Sequence, residues 1–268
     1  MIDTHCHLTY EPLHQQLSEV LARAAGAGID QMICVGTSPD DARLAAALAR
    51  EHEPIYATVG IHPHYAHQWP DKVFITEAVQ QLTIMPKVIA LGEMGLDYYY
   101  PDPPRADQRR AFEWQLNLAA DLMIQKPLPL IIHNRQATYD VIDMIKASGI
   151  PGQKFVFHCF TGTAKELDAV LDMGAMVSFT GIVTFKNAID LATASDHVPA
   201  NRIMIETDSP YLTPEPHRKT RPNEPCYLAD IAHFLADRRN ESIQSFLLTV
   251  DANAKKFFGL SIPPVNQT

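Results

Sequence analysis

The sequence predicts an α/β fold built as a single TIM (β/α)8 barrel, and three patterns support this prediction. Eight short apolar runs occur along the chain, and helical patterns lie between them. The runs are continuous and lack the polar alternation of half-exposed strands, as is typical of parallel strands covered on both faces. No G-x-G-x-x-G motif opens the first helix, which disfavours an open sheet that binds a dinucleotide. A closed barrel fits all three patterns.

The predicted strands follow from the apolar runs and from the residues that end them. The first strand starts at residue 1, Gly36 closes the second, and Pro63 ends the third. A glycine-rich segment, 92–97, ends the fourth. In chain order, we predict strands at 1–7, 31–36, 55–61, 88–91, 128–132, 155–157, 175–179 and 203–205.

The predicted helices follow from apolar residues that share one face and from signals at the helix ends. Leu13 and Leu17 lie on one face of the first helix, and Gly26 marks its end. Ser38 and Pro39 are typical of a capping residue and a first helical position, so they open the second helix. The predicted helices are 13–27, 38–50, 73–82, 105–125, 137–147, 164–173 and 187–194.

Length and composition indicate one globular domain. The chain has 268 residues, of which 46% are apolar and 20% charged, and these are ordinary values for a globular protein. Because no internal repeat or linker divides it, we predict one domain over residues 1–260 and a loose tail over 261–268. The cysteines are scattered without a C-x-x-C pair and are predicted to be reduced packing residues: Cys6, Cys34, Cys159 and Cys226.

The charge balance disfavours a broad basic surface. The chain has 22 Lys and Arg against 31 Asp and Glu, a formal net charge of −9. This weighs against a protein that coats DNA, but little against an enzyme that holds one strand end. Charged residues and histidines interrupt every apolar run before it could span a bilayer, and no signal peptide pattern opens the chain. We therefore predict a cytoplasmic protein with no membrane association and no obligate protein partner.

Candidate metal ligands recur where the predicted strands end. His5 and His7 form an H-x-H pair, whose side chains project from one face of a strand. Such a pair is a weak signal alone, but further residues of ligand type follow four later strands, and active sites of TIM barrels lie at the carboxyl ends of the strands. The six candidate ligands are His5, His7, Glu93, His133, His158 and Asp208.

Four histidines and two carboxylates are too many for one four-coordinate ion and suit two divalent ions bridged by a carboxylate. We predict that Glu93 bridges an ion held by His5, His7 and Asp208 and an ion held by the other two histidines, His133 and His158. These ligands suit Zn, Mn, Fe, Co or Ni, and Mg could replace them in an assay. Such a site lowers the pKa of a water toward neutrality and offsets charge on a phosphoryl oxygen. The predicted reaction class is hydrolysis.

Five segments of the chain resemble the signature blocks of the TatD family of metal-dependent deoxyribonucleases: 2–8, 92–97, 133–137, 158–162 and 206–212. Segment 223–225 resembles the block that follows them, so the resemblance extends from residue 2 to about 258. It implies a TIM-barrel phosphodiesterase that binds two divalent ions and trims DNA from the 3′ end. It also implies that the six candidate ligands hold the ions and that Asp208 accepts the proton of the attacking water.

The chain departs from the family pattern at two places. Thr9 stands where the family has Asp or Asn. The loop 218–225, Arg-Lys-Thr-Arg-Pro-Asn-Glu-Pro, contains an additional Pro222, which stiffens or lengthens it. We expect the metal chemistry to survive these changes, whereas the substrate preference depends on such loops.

Four further residues are predicted near the substrate. His62 and His64, at the end of the third strand, could bind a phosphate, and His62 could assist the leaving group. Arg135 could fork onto a phosphate, although an ion pair with Glu206 or Asp140 would also explain it. Glu206 either orients a metal ligand or contacts a phosphate through water.

Three consecutive tyrosines, 98–100, follow the fourth strand. They could stack on bases near the active site. Because aromatic clusters more often pack within the protein, we expect at most one of the three to contact a base.

The alternatives are a second class of hydrolase and a binding protein. An amidohydrolase on the same scaffold often bridges its ions with a modified lysine on strand four, but Glu93 occupies this position here. A D-aminoacyl-tRNA deacylase would use the same activated water and stays open. A non-catalytic metal-binding module is disfavoured, because a structural ion needs only a closed four-ligand site.

Overall fold

The computed structural model describes residues 1–68, 72–124 and 126–260. Eight parallel strands pair in sequential order and form a nearly closed barrel, which confirms the predicted TIM-barrel class. The strands are β1 (Ile2–Cys6), β2 (Gln31–Cys34), β3 (Ile55–Val59), β4 (Val88–Asp97), β5 (Leu130–Arg135), β6 (Phe155–Phe157), β7 (Met176–Phe179) and β8 (Ile203–Ile205).

The helices lie between the strands and beyond the last one. They are α1 (Leu17–Gly26), α2 (Pro39–Glu51), α3 (Lys72–Thr83), α4 (Arg105–Leu122), α5 (Thr138–Ser148), α6 (Ala164–Asp172), α7 (Ile189–Asp196), α8 (Leu228–Arg238) and α9 (Ile243–Phe258). Ser38 caps α2 as predicted, because its side chain accepts a hydrogen bond from the Asp41 amide. The predicted end of the fourth helix, residue 125, lies outside the described residues. The sequence analysis did not identify α8 and α9.

Helix α9 lies across the amino-terminal ends of two strands. The Asp251 side chain accepts a hydrogen bond from the Ile2 amide, and the Asn253 side chain donates one to the Ile203 carbonyl. Ala254 and Phe258 belong to the same apolar cluster as buried residues of the strands. This helix therefore closes the barrel at the end opposite to the carboxyl ends of the strands.

Strands β4 and β5 extend further than predicted. The glycines after Leu91 were interpreted as the end of a strand, but β4 continues to Asp97, and Gly95 pairs with His133 of β5. Gly95 has a φ of +145°, and a Cβ atom there would overlap the His133 carbonyl. The absence of a side chain thus allows β4 to continue beside β5, so Glu93 and His133 lie within strands.

Hydrogen bonds between β1 and the segment after β8 join the first and last strands. The Asp3 carboxylate accepts from the backbone and the hydroxyl of Thr207, and the Thr4 hydroxyl donates to the Ile205 carbonyl. The Asp208 amide donates to the His5 carbonyl. Asp3 is buried, and burial raises its pKa to about 7, although hydrogen bonds from Thr207 oppose this shift.

No helix among the described residues is long and apolar enough to cross a membrane. The predicted tail, 261–268, lies outside the described residues, so the boundary at residue 260 stays a prediction. The cytoplasmic location also stays a prediction.

We predict that Asp3 makes the stability of the metal-free protein depend on pH. Its pKa is higher in the folded state than the ordinary value of the unfolded chain, so its stabilising contribution is complete below about pH 4 and decreases as the pH rises through 7. Between pH 4 and 8 the free energy of unfolding should fall, relative to that of Asp3→Asn, by on the order of 3 kcal/mol. Urea denaturation in the presence of a chelator measures this difference. The control is Asp168→Asn, at an exposed carboxylate. Parallel pH profiles of the wild type and Asp3→Asn would contradict the prediction.

Candidate metal centre

The six candidate ligands come from five places around the barrel and lie at its carboxyl-terminal end. Three are within strands: His5 in β1, Glu93 in β4 and His133 in β5. His7 and His158 directly follow β1 and β6, and Asp208 lies shortly after β8. All but His5 line one cavity of about 680 Å³, and His5 is fully buried beside it.

One group of ligand atoms surrounds His5. Its Nε2 atom lies 3.3 Å from His7 Nε2, 3.4 Å from Glu93 Oε2 and 3.7 Å from Asp208 Oδ1. His7 Nε2 lies 3.2 Å from the same Asp208 oxygen. The H-x-H pair therefore converges as the alternation of side chains along a strand predicts.

A second group surrounds the other oxygen of Glu93. His133 Nδ1 and His158 Nε2 each lie 2.7 Å from Glu93 Oε1. The two histidine nitrogens are 3.5 Å apart. Glu93 thus directs one carboxylate oxygen toward each pair of histidines.

The donor atoms fit divalent transition metals. Imidazole nitrogens and carboxylate oxygens suit zinc, manganese, iron, cobalt and nickel. Three of the candidate ligands, His5, His7 and Glu93, place ligand atoms within 4.8 Å of one another, and a second such set joins Glu93 and His133 with His62, which is not one of the six. A third set joins His5 and His158 with Glu206. Because the first two sets share Glu93, the arrangement suits two neighbouring ions.

The charges around Glu93 keep its carboxylate ionised. Burial alone would raise its pKa, but the charge of His158 and hydrogen bonds from His133 and His158 hold the pKa of Glu93 well below its usual range. Burial opposes the charged form of His158, yet Glu93 and Glu206 raise its pKa well above the ordinary value. Without metal, raised pKa values favour the protonated forms of His133 and His158, and a bound ion would displace these protons.

Asp97 orients His133 and was not identified from the sequence. Its Oδ2 atom lies 3.1 Å from His133 Nε2 and 3.0 Å from His64 Nε2, and Oδ1 accepts a hydrogen bond from the Tyr99 amide. Burial opposes the charged form, but these histidines lower the pKa of Asp97 far below its ordinary value. An acceptor at Nε2 leaves Nδ1 of His133 free to bind an ion. The spacing of four residues from Glu93 on an extended strand is the signal that could have revealed it.

Glu206 is buried behind His158 and does not face the cavity. Its carboxylate is 1% exposed and accepts hydrogen bonds from the Cys159 amide at 2.6 Å and the Ser178 hydroxyl at 2.7 Å. Its Oε1 atom lies 3.4 Å from His158 Nδ1. Because Glu206 lies behind His158 and does not line the cavity, its position favours the first of its two predicted roles, the orientation of a metal ligand, over a contact with substrate.

His62 lies close to the second group of ligands. Its Nε2 atom is 3.2 Å from His133 Nδ1 and 3.4 Å from Glu93 Oε1. Burial lowers the pKa of His62 well below its ordinary value, which favours the neutral ring. Its Nδ1 atom accepts a hydrogen bond from the His64 amide, so the neutral ring carries its proton on Nε2. This N–H faces the centre of the site.

Arg135 lines the cavity and stacks on an aromatic ring. Its guanidinium carbon lies 3.8 Å from the centroid of Tyr99. The alternative ion pair with Asp140 is not formed, since that carboxylate accepts hydrogen bonds from Arg109 and from the Tyr98 hydroxyl. Arg135 also has no carboxylate within 4 Å among the side chains that the structure describes.

The cavity contains residues that the sequence analysis did not place there. Tyr10, Thr37 and Tyr211 line it together with the ligands. Cys159 also lines it, although we predicted a packing residue. Its φ of +44° departs from the extended conformation of the strand before it.

Comparisons with known proteins give consistent results. A family model described as TatD related DNase matches residues 2–259. The "uncharacterized metal-dependent hydrolase YabD" of Bacillus subtilis (strain 168) is 35% identical over 265 residues, which are 97% of this chain and 100% of that protein. The "3′-5′ ssDNA/RNA exonuclease TatD" of Edwardsiella piscicida is 36% identical, with 97% and 100% covered. The crystal structure of YJJV, a TatD homologue from Escherichia coli K12, has a TM-score of 0.90 at 27% identity and covers 97% of this chain and 98% of its own.

We predict that Asp97→Asn weakens the second group of ligands more than the first. The amide can no longer accept from both histidines, so His133 loses its fixed orientation, and metal affinity should fall about 10- to 100-fold at one of two sites. Calorimetric titration of metal-stripped protein with Mn²⁺ or Zn²⁺ measures this change. Asp102→Asn, at an exposed carboxylate of the following loop, is the matched control. Unchanged affinity at both sites in Asp97→Asn would show that this carboxylate does not position His133.

Proposed function

This chain belongs to the TatD related DNase family and is a metal-dependent hydrolase of ester bonds, and on this basis we propose that it removes nucleotides from the 3′ end of single-stranded DNA with two divalent ions. The observation that carries the proposal is the position of Glu93, whose two carboxylate oxygens face two separate pairs of histidines. An open cavity beside them leaves room for water and a phosphodiester.

The ligands divide between two ions in this proposal. His5, His7 and Asp208 would hold one, His133 and His158 would hold the other, and Glu93 would provide one oxygen to each. When bound, such a pair of ions lowers the pKa of water toward neutrality and offsets the negative charge that develops on phosphoryl oxygens. The identity of the ions is open among Zn, Mn, Fe, Co, Ni and Mg.

Asp208 is the proposed acceptor of the proton from the attacking water. It lines the cavity, and its side chain is 14% exposed, so a water molecule can reach its carboxylate. Burial opposes ionisation, but the hydrogen bond from His7 and the charge of His5 lower the pKa of Asp208. The carboxylate is therefore ionised and can act as a base while it also serves as a ligand.

His62, His64 and Arg135 are the proposed contacts of the substrate. His62 directs its Nε2–H toward the centre of the site and can donate to the oxygen of the leaving group. His64 and Arg135 line the same cavity beside it. A guanidinium without a carboxylate partner suits a phosphate of the bound strand.

A nucleic-acid substrate is supported by the name of the Edwardsiella piscicida relative, which describes an exonuclease of single-stranded DNA and RNA. DNA as the preferred substrate is our proposal. Among the residues that the structure describes, no contact favours an amidohydrolase or an aminoacyl-tRNA deacylase. The six candidate ligands with an open cavity exceed what a purely structural ion needs.

The direct test uses metal-stripped protein that is resupplied with one ion at a time. We expect single-stranded DNA labelled at its 3′ end to release labelled mononucleotide at once, whereas DNA labelled at its 5′ end should shorten progressively. RNA of the same sequence should be cleaved more slowly. Absence of cleavage with every ion, together with hydrolysis of a small cyclic amide, would contradict the proposal and favour the amidohydrolase.

Glu93→Gln is the inactive reference in the same assay. Loss of an outer carboxylate already costs about 10- to 100-fold, so loss of the shared ligand should lower kcat/KM by more than about 100-fold. Full activity of Glu93→Gln would refute the bridging role of this residue.

We predict that His62 acts on the leaving group. His62→Asn should lower kcat on DNA by about 10²- to 10⁴-fold. The loss should nearly vanish with thymidine 5′-(p-nitrophenyl phosphate), whose phenolate leaves without a donor. His67→Asn, at an exposed histidine of the same turn, is the control, and metal content is measured for each variant. An equal loss on both substrates would instead assign His62 to phosphate binding.

A further inference from the structure

The three tyrosines after β4 have different surroundings. The Tyr98 hydroxyl donates to Asp140, and the guanidinium of Arg105 covers its ring at 4.1 Å. Tyr98 therefore joins helices within the protein. Tyr99 and Tyr100 are 52% and 45% exposed, so packing within the protein does not account for these two rings.

Tyr99, Tyr100 and Arg135 form a stacked surface that we name the aromatic platform. The guanidinium of Arg135 lies 3.8 Å from the centroid of Tyr99 and 5.3 Å from that of Tyr100. The two rings meet edge to face with centroids 4.8 Å apart. The Tyr99 amide donates to Asp97, which ties the platform to the carboxylate behind His133.

The aromatic platform borders the candidate metal centre. Tyr100 and Arg135 line the same cavity as the ligands, and the His64 ring meets Tyr100 edge to face at 5.3 Å. An open depression of about 470 Å³ continues outward from there, bounded by His64, Tyr100, Pro101 and Asp102. An aromatic face and an adjacent cation are thus presented to the substrate side of the site.

These features match the chemistry of an unpaired nucleobase beside a phosphate. Bases stack on exposed aromatic rings with little sequence preference, and Arg adds a cation–π contribution. Stacking holds the guanidinium of Arg135 flat, so its N–H edge stays available for a phosphate oxygen. A base in a duplex is covered by its neighbours, and only a single strand can present a free base face.

We propose that the aromatic platform binds the base of the nucleotide immediately 5′ of the bond that is cut. This inference rests on the proposed function. The 3′-terminal nucleotide has no phosphate beyond the bond being cut, whereas the preceding nucleotide carries another one on its 5′ side. A base on Tyr100 with a phosphate beside Arg135 therefore matches the penultimate nucleotide, because this nucleotide carries a further phosphate on its 5′ side. The platform gives a structural reason for the single-stranded substrate of the proposed function.

The kinetic test combines a protein change with a substrate change. Tyr100→Ala should lower kcat/KM on single-stranded DNA by about 5- to 150-fold, mainly through KM. An abasic residue at the penultimate position should cost the wild type a similar factor and should cost Tyr100→Ala little more. Tyr100→Trp should retain activity. Tyr139→Ala, at a tyrosine of α5 that is 57% exposed and outside the cavity lining, is the matched control.

A binding measurement in metal-free protein provides a second readout. DNA with 2-aminopurine at the penultimate position should lose fluorescence on binding to the wild type, because stacking on an aromatic ring quenches it. Tyr100→Ala should bind more weakly and should not quench, whereas 2-aminopurine at the terminal position should respond little in either protein.

Several outcomes would overturn the inference. Independent, additive losses from Tyr100→Ala and the abasic residue would show that the ring and the base do not meet. Quenching only with 2-aminopurine at the terminal position would show that the platform binds the terminal base and not the penultimate base. A wild type that binds and quenches but cuts no DNA would refute the proposed function and leave the platform standing. If the wild type cuts DNA and Tyr100→Ala behaves like the wild type in both assays, the proposed function is supported and the role of the platform is refuted.

Discussion

The ionised carboxylate of Glu93 is the group on which the rest of the site depends. It is 2% exposed, and a buried charge is tolerated only with partners of opposite charge or with metal. Its partners come from β1, β5 and the turn after β6, so strands distant in sequence must meet around one residue of β4. This requirement explains why β4 remains a strand through its glycines and why His133 lies within β5.

A ring of further carboxylates holds the ligands from behind. Asp97 fixes the ring of His133, and Glu206 lies behind His158. Asp3 ties β1 to the backbone that leads to Asp208. Each of these carboxylates is buried and paired with hydrogen-bond donors. Asp97 and Glu206 contact candidate ligands directly, whereas Asp3 joins the first strand to the segment after the last one.

The fold class and the six candidate ligands could be predicted because both depend on local patterns. Apolar runs mark strands, and ligand-type residues after such runs converge in a barrel. What was missed depends on pairing between strands. Gly95 suggests the end of a strand when the sequence is considered alone. Only the pairing with His133 shows that β4 continues and that a side chain is excluded there. Glu206 and Asp208 are two residues apart, a spacing that places two side chains on one face of an extended strand. Asp208 has a φ of +53° and so departs from the extended conformation. Asp97 lies four residues after Glu93, and this spacing places both side chains on one face of an extended strand. The spacing could therefore have indicated Asp97 from the sequence.

Strand β5 carries His133 and Arg135 on the same face, two residues apart. One rigid segment thus supplies both a candidate ligand and a cation that lines the same cavity. Because pairing with β4 fixes the backbone between them, the strand sets the spacing of the imidazole and the guanidinium. No flexible loop separates the two groups, so a molecule that contacts both must match this one distance.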